Sequence, residues 1–255
     1  MRIISSIIIA FAMYSKVPMP RVEWKKENMR YVMCAFPLVG ALLGGLTVGF
    51  RYLSDGIGLG HGIRTTVFVI LPIVVTGGIH LDGFMDTSDA LGSWQEKEKR
   101  LEILKDSHVG AMAVIGAITL CILNFGIWWE LTDEMIYVVA IGFFTSRVLS
   151  GFAVAAFPCA KNSGLVAMFQ SEADKRMTKV ILLLEFILAM GLAFWLNAFL
   201  AGAMLAAMLI SYVWYHRMSK KMFGGITGDL AGWFLQVCEC MMAGFVLLAG
   251  YIVCL

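Results

Sequence analysis

The sequence predicts an all-α integral membrane protein, a polytopic helical bundle of about seven transmembrane helices preceded by a short N-terminal helix. The first observation is composition: 60% of the 255 residues are hydrophobic and 15% are charged, whereas soluble domains have about 45–50% and about 25%. The second is a series of apolar segments long enough to cross a hydrocarbon core of about 30 Å. The third is the concentration of Lys and Arg between alternate apolar segments, which is typical of multi-pass proteins.

Seven segments have the length and hydropathy of membrane spans. They are residues 31–50, 65–81, 109–129, 135–157, 180–196, 198–214 and 233–254. The N-terminal run Ile3–Tyr14 is too short to cross, because about 12 helical residues rise only about 18 Å. No small-x-small cleavage site follows it, so a signal peptide is excluded. We predict a re-entrant or interfacial helix there.

Basic residues give the expected orientation. Five lie in 16–30, four in 82–108, four in 158–179 and three in 215–232, which makes sixteen of the twenty. Seven spans place these four segments on one side, and the positive-inside rule makes that side cytoplasmic. We predict one membrane domain, 1–255, whose cytoplasmic loops 82–108, 158–179 and 215–232 form the active-site face.

The most informative stretch is an acidic repeat that follows Gly77-Gly78-Ile79-His80. Asp82, Asp86 and Asp89 are spaced i, i+4 and i+7, so a helix would place all three carboxylates on one face. Clustered carboxylates repel one another unless they take up protons or bind a cation. Because oxygen ligands select hard ions, this pattern favours a Mg²⁺ site, while a solvated helix start is the alternative.

Arg147 stands near the middle of the fourth predicted span. An arginine there is costly in lipid, so we expect it to bind an anionic substrate group. The alternative is a structural ion pair with Glu185 or Glu239. Lys105 and Asp106 are interpreted equally well as a surface pair or as site residues, and Lys161 lies in a turn suited to contacting phosphate.

A glycine-rich segment precedes the last span. Gly224, Gly225 and Thr227 are expected to bring backbone N–H groups close to phosphate oxygens at a helix N-terminus, with a flexible hinge as the alternative. Asp229 then begins a polar stripe on an otherwise apolar helix that ends at Glu239.

Several classes of site are disfavoured. The six cysteines include no C-x-x-C pair, and the histidines have no zinc-ligand spacing. The net charge of +2 suggests no nucleic-acid partner. Two hypotheses remain: a Mg²⁺-dependent transferase acting on a pyrophosphate, and a cation- or proton-coupled transporter. Transporters tend to place ion sites near the bilayer midplane at the interface of internal repeats. Here the acids gather at span ends and no repeat is visible, so the transferase is favoured.

The motifs resemble a known family. Residues 77–89 followed by Lys105-Asp106-Ser107-x-x-Gly110 are similar to the signature of cobalamin 5′-phosphate synthase (adenosylcobinamide-GDP ribazoletransferase). Supporting similarities run in the same order across nearly the whole chain: 16–20, 36–40, 146–147, and 224–229 with Glu239. CDP-alcohol phosphotransferases also use Asp-Gly and Asp-x-x-x-Asp, but the Ala-Arg that follows Asp-Gly in their motif is missing here.

The resemblance implies a transferase in a prokaryotic inner membrane that joins adenosylcobinamide-GDP to α-ribazole or its 5′-phosphate and releases GMP. From the residues we expect Mg²⁺ as cofactor, membrane lipid as surroundings and no nucleic acid; a homo-oligomer is compatible with the sequence. The resemblance also implies functional roles for several residues. Those for metal binding and catalysis are Asp82, Asp86 and Asp89, with Asp229 for catalysis; those for substrate and phosphate are His80, Lys105, Asp106, Arg147, Lys161, Gly224, Gly225, Thr227 and Glu239. Two departures from the family pattern are Lys161, where arginine is frequent, and the residues after Asp229.

Overall fold

The computed structural model describes residues 2–161, 164–172 and 174–254, and all of the named elements in that part of the chain are α-helices. Apart from them there is an isolated parallel bridge between Cys159 and Ile226. The helices are α1 (Arg2–Tyr14), α2 (Lys26–Met29), α3 (Val32–Ala35), α4 (Pro37–Gly56), α5 (His61–Thr76), α6 (Ile79–Gly92), α7 (Lys97–Ile103), α8 (Ala111–Glu130), α9 (Asp133–Ala156), α10 (Leu165–Glu172), α11 (Lys175–Leu196), α12 (Ala198–Phe223) and α13 (Gly228–Cys254).

Six helical stretches in the described residues are long and apolar enough to cross a membrane: Glu27–Gly56, which includes α4, and α8, α9, α11, α12 and α13. Helices α5 and α6 pass the same test only as a pair, and they are bent by 93°. The bend lies at Gly77 and Gly78, whose φ angles of 65° and 80° favour glycine. The predicted span 65–81 is therefore wrong at its end, since a new helix begins at Ile79.

Contacts between helix ends show that α5 nevertheless crosses the bundle. At one end, which we call the opposite end, Arg51 of α4 pairs with Asp133 of α9 at 2.5 Å. His61, the first residue of α5, lies 2.8 Å from the carbonyl of Trp129 at the same end. Helix α6, which follows α5, packs on the start of α13 at the other end. The 16 residues of α5 rise about 24 Å, which is shorter than a hydrocarbon core of about 30 Å. Counting it gives seven end-to-end helical segments, the upper end of the six to seven spans that length and composition allow in the described residues.

The three predicted loops are mostly helical. Segment 82–108 contains most of α6 and all of α7, and segment 158–179 contains α10 and the start of α11. Helix α12 continues to Phe223, so only 224–227 separate it from α13. The apolar windows ended too early here because polar helix ends extend beyond the apolar core. Lys220 and Lys221, in the last turn of α12, are favourable near the negative end of a helix dipole.

Helix α9 forms the centre of the bundle and is buried along most of its length. Gly40 and Gly44 of α4 leave no room for a Cβ against the backbone of α9 at Phe143 and Ala140. Small residues four apart allow this close packing of membrane helices.

The predicted tight turn at Asn197, between α11 and α12, is confirmed. The Asn197 side chain accepts hydrogen bonds from the N–H groups of Phe199 and Leu200.

Candidate active site

The site is built where α6 lies directly on the first turn of α13. A Cβ at Gly83 would lie 2.7 Å from the carbonyl oxygen of Asp229, and one at Gly232 would lie 3.0 Å from that of His80. Glycine at both positions is therefore what allows the two backbones to touch. As a result Asp82 and Asp229, 147 residues apart in sequence, line the same cavity.

Asp86 belongs to the same acidic cluster. Helix α6 spans the whole acidic repeat, as predicted, and Asp86 lies one turn beyond Asp82. Burial, and after it the neighbouring carboxylates of Asp82, Asp229 and Asp89, raise the pKa of Asp86 to about 6. The cluster is thus unfavourable as a set of bare anions, and a bound cation would relieve the repulsion. We call the end of the bundle that carries Asp82, Asp86 and Asp229 the carboxylate end.

Asp89 has a different position from the other two acids of the repeat. Its carboxylate oxygens accept hydrogen bonds from the backbone N–H of Gly110 at 2.6 Å and of Ala113 at 2.8 Å. These donors belong to the start of α8, where N–H groups have no partner within the helix. Asp89 therefore caps α8 and joins it to α6. Both of its oxygens are already engaged, which argues against the predicted role of Asp89 as a metal ligand.

A cleft with two lysines opens beside Asp229. Its volume is about 260 Å³, and Lys105, Lys161, Thr227, Gly228 and Asp229 are among its lining residues. The Lys161 ammonium donates a 2.7 Å hydrogen bond to the carbonyl of Leu101. Burial, and then the nearby Lys105, lower the pKa of Lys161. Two cations at the N-terminus of a long helix form a favourable place for an anionic group.

Two crossing segments hold the cleft in shape. The N–H of Ile226 donates to the carbonyl of Pro158 at 2.9 Å, and the N–H of Ala160 donates to the carbonyl of Ile226 at 3.0 Å. A Cβ at Gly225 would collide with the backbone of residues 158–160. Gly225 is therefore needed for the approach that brings Lys161 next to the start of α13.

The N–H groups of the two glycines predicted to hold phosphate already have hydrogen-bond partners within the chain, which argues against that role. The N–H of Gly224 donates to the carbonyl of Lys220 at 3.2 Å, and the N–H of Gly225 donates to the carbonyl of Ser219 at 3.1 Å. With a φ of 78°, Gly224 is the left-handed cap that ends α12. Thr227, by contrast, lines the cleft, and its hydroxyl accepts from the N–H of Leu230 at 3.2 Å.

Arg147 and Glu239 form a buried ion pair. The guanidinium donates to Glu239 at 2.6 Å and to the carbonyl of Phe143 at 2.8 Å, and Arg147 is 1% exposed. Neither residue lines the cleft or the cavity next to Asp229. This geometry favours the structural alternative, an ion pair with Glu239, over the predicted substrate contacts. Glu185, the other candidate partner, lines a separate apolar groove.

The remaining predicted residues divide between cavity and surface. His80 is 4% exposed and lines the cavity that Asp82 and Asp229 share. Asp106 is exposed and accepts hydrogen bonds from the ring and the backbone N–H of His108. The structure thus keeps His80 at the site and places Asp106 on the surface, which is the alternative already considered for the Lys105-Asp106 pair.

Sequence reasoning missed part of the site. Tyr14, Phe36 and Phe169 line the cavity beside Asp82 and Asp229. In sequence they resemble any other aromatic residue in an apolar segment, so no local pattern distinguishes them. Among the described residues, no three His, Cys, Asp or Glu side chains are already grouped as ligands for a metal ion.

Comparison with known proteins identifies the family of the chain. The family model described as cobalamin-5-phosphate synthase matches residues 6–247. A protein of Lachnoclostridium phytofermentans named adenosylcobinamide-GDP ribazoletransferase is 41% identical over 244 residues, which cover 96% of this chain and 93% of that protein. Proteins of the same name from Clostridium perfringens and Desulfitobacterium hafniense are 30% and 32% identical, over 92% and 91% of this chain and 94% and 92% of their own lengths.

No solved structure matches the chain. The family model nevertheless extends over every helix that builds the site, from α1 to most of α13. The match at this length, together with relatives above 30% identity, shows that the chain is an enzyme of the cobalamin-5-phosphate synthase family.

Proposed function

We propose that this enzyme joins adenosylcobinamide-GDP to α-ribazole or α-ribazole 5′-phosphate and releases GMP, with Mg²⁺ as cofactor. The relatives carry the name of this reaction. The observation that carries the proposal is the meeting at Asp229 of two kinds of chemistry: the carboxylates of Asp82 and Asp86 on one side, and the cleft of Lys105 and Lys161 on the other.

The residues present fit a magnesium ion. Mg²⁺ in phosphoryl-transfer sites is usually held by one or two carboxylates together with substrate phosphates and water, so three protein ligands are not needed before the substrate binds. One or two of Asp82, Asp86 and Asp229 would hold it. When bound, the ion would neutralise the charge that develops on the pyrophosphate. Asp89, which caps α8, is left out of this set.

The protein residues would position and activate the reacting groups. The cleft of Lys105 and Lys161 would hold phosphate oxygens of the donor. One of the three carboxylates would accept the proton of the ribose hydroxyl as its oxygen forms a bond to the phosphorus carried by the cobinamide arm. The bond from that phosphorus to the GMP oxygen then breaks, and GMP leaves as the anion.

The carboxylate end is proposed to face the cytoplasm of a prokaryotic cell, across its inner membrane. Most Lys and Arg residues of the chain lie in the segments connected at this end, as the positive-inside rule requires of cytoplasmic segments. A cytoplasmic site would also have direct access to nucleotide substrates.

The test is GMP release by the purified protein in liposomes. We expect GMP only when adenosylcobinamide-GDP, α-ribazole 5′-phosphate and Mg²⁺ are all present, and none after chelation of the metal. A matched reaction without the ribazole would distinguish transfer from simple hydrolysis. A folded sample that forms no cobalamin 5′-phosphate from the complete mixture would contradict the proposal, and a CDP-alcohol substrate would be tested next.

A further inference from the structure

A second cavity, of about 130 Å³, lies next to the lysine cleft and shares Gly228 and Asp229 with it. Asp82 and Asp229 line it, so it reaches the proposed reaction centre. Most of its other lining residues are apolar and come from α1, α9, α10 and α13. The proposed chemistry of the carboxylates and lysines gives this apolar space no role.

Aromatic rings form a large part of its wall. The rings of Tyr14 and Phe36 have centroids 4.2 Å apart, and the ring of His80 lies 6.0 Å from that of Phe36 and 6.3 Å from that of Tyr14. Phe169, which is 1% exposed, lines the same cavity. Such a wall suits a flat aromatic group, because aromatic rings prefer to pack on one another in stacked or edge-to-face contacts.

The proposed reaction brings two aromatic groups to the site: the guanine of the leaving GMP, and the base of the ribazole. Guanine carries several hydrogen-bond donors and acceptors on its edge, and each would need a partner in this apolar space. The benzimidazole base of a ribazole has one free ring nitrogen and an otherwise apolar edge. His80 is a suitable neighbour for one such nitrogen, since its buried Nε2 has no partner among the described residues.

We infer that this cavity binds the aromatic base of the ribazole nucleoside and thereby places a ribose hydroxyl beside Asp82 and Asp229. The inference rests on the proposed function and deepens it. The aromatic cavity would bind the base and the carboxylates would contact the ribose, which are two neighbouring parts of one acceptor molecule. Selectivity for the base would then come from the shape of the cavity, separately from recognition of the GDP-linked donor.

The experiment narrows the cavity without touching the carboxylates. Ala231 lines it from α13, so Ala231→Leu would fill part of the space. Ala206→Leu is the matched control, because Ala206 is exposed on α12. We expect Ala231→Leu to raise the KM for α-ribazole 5′-phosphate by about 10-fold or more, with little change in the KM for adenosylcobinamide-GDP. A ribazole analogue with a smaller base should recover part of the loss.

A binding measurement separates this inference from the proposed reaction. Quenching of the benzimidazole fluorescence can be titrated in liposomes with α-ribazole 5′-phosphate alone, without donor or turnover. We expect saturable binding by the unmodified protein and by Ala206→Leu, and binding about 10-fold weaker by Ala231→Leu. This result would support the cavity even if no GMP were formed.

Two results would overturn the inference. One is a change confined to the KM for adenosylcobinamide-GDP, which would place guanine in the cavity. The other is equal affinity of all three proteins for the ribazole. Equal melting temperatures of the two variants would verify that Ala231→Leu is folded.

Discussion

Asp82 and Asp89 lie seven residues apart on one helix, yet they contact different things. Asp82 lines the cavity at the junction of α6 and α13, whereas both oxygens of Asp89 accept hydrogen bonds from the start of α8. An exposed carboxylate without such partners is available to a metal or a substrate. A carboxylate saturated by backbone donors stabilises the packing of two helices.

This difference predicts contrasting results for the same chemical change at the two positions. Asp82→Asn should lower kcat by about 100-fold or more, because it removes a ligand or base from the reaction centre, while leaving membrane insertion and melting temperature unchanged. Asp89→Asn should mainly lower stability, by about 1 kcal/mol, the usual cost of a weakened helix cap. GMP release and thermal unfolding, measured on both proteins, provide the comparison. An active, Mg²⁺-dependent Asp82→Asn protein would contradict the assignment.

Arg147 is a second case in which the contacts of one residue decide its role. Its guanidinium is buried and Glu239 is mostly buried, with side chains 1% and 12% exposed. Removal of one partner of such a pair leaves an uncompensated charge, at a cost of about 3–5 kcal/mol. Ser146 also donates to Glu239 at 3.0 Å, so the carboxylate retains one partner if the arginine is removed.

We expect Arg147→Met to lower the free energy of unfolding strongly and the double variant Arg147→Met/Glu239→Gln to recover much of the loss. Denaturation in detergent would measure both. The KM for adenosylcobinamide-GDP should stay near its normal value in the double variant. A large rise in that KM, with stability restored, would instead return Arg147 to the substrate site.

At the scale of elements, the decisive contact is that between α6 and α13. It depends on the absence of a side chain at Gly83, since a Cβ there would meet backbone atoms of Asp229, which cannot move aside as a side chain could. The same backbone contact holds the acidic repeat of α6 next to the first turn of α13. We therefore expect both the packing of these helices and the activity to depend on Gly83.

Gly83→Ala should separate the two helices and abolish most of the activity, with a loss of stability of about 1–3 kcal/mol from overpacking. Gly45→Ala in α4 is the matched control, because a Cβ at Gly45 has no atom within 4 Å. The control should retain activity, and alanine's greater helix propensity should leave stability equal or slightly higher. GMP release and thermal unfolding test both; full activity of Gly83→Ala would show that this contact does not hold the site.

At the scale of the whole molecule, the bundle has two chemically distinct ends. Arg51, Asp133 and Glu134 gather at the opposite end, where Glu134 also accepts a hydrogen bond from Asn197 at 2.8 Å. The carboxylate end holds the acidic cluster and the lysine cleft. Helix α5 returns the chain from the opposite end to the carboxylate end, and α8 can therefore start beside Asp89.

Labelling of single cysteines tests this topology. In a background without the native cysteines, Gln95→Cys lies exposed after α6, and Ile57→Cys, at a position that is 64% exposed, follows α4 at the opposite end. An impermeant maleimide should label the first only in inside-out vesicles and the second only in right-side-out vesicles. Labelling of both from the same face would mean that α5 does not cross.

The sequence by itself determined the membrane class, the approximate number of spans and the helix that carries the acidic repeat, because these follow from local hydropathy, charge and period. The same motifs also indicated the family. Local reasoning failed at the 93° bend, where the glycine pair Gly77-Gly78 ends one helix inside a window that is apolar enough to be read as one span.

Only the tertiary structure decided which polar residues share a site. Lys161 and Asp229 line one cleft, Arg147 is paired with Glu239, and Asp89 caps α8. Tyr14 lines the same cavity as Asp82 and Asp229 although it precedes Asp229 by 215 residues. Such choices depend on contacts between helices distant in sequence, and the contact of α6 with α13 lies where glycine lets two backbones touch.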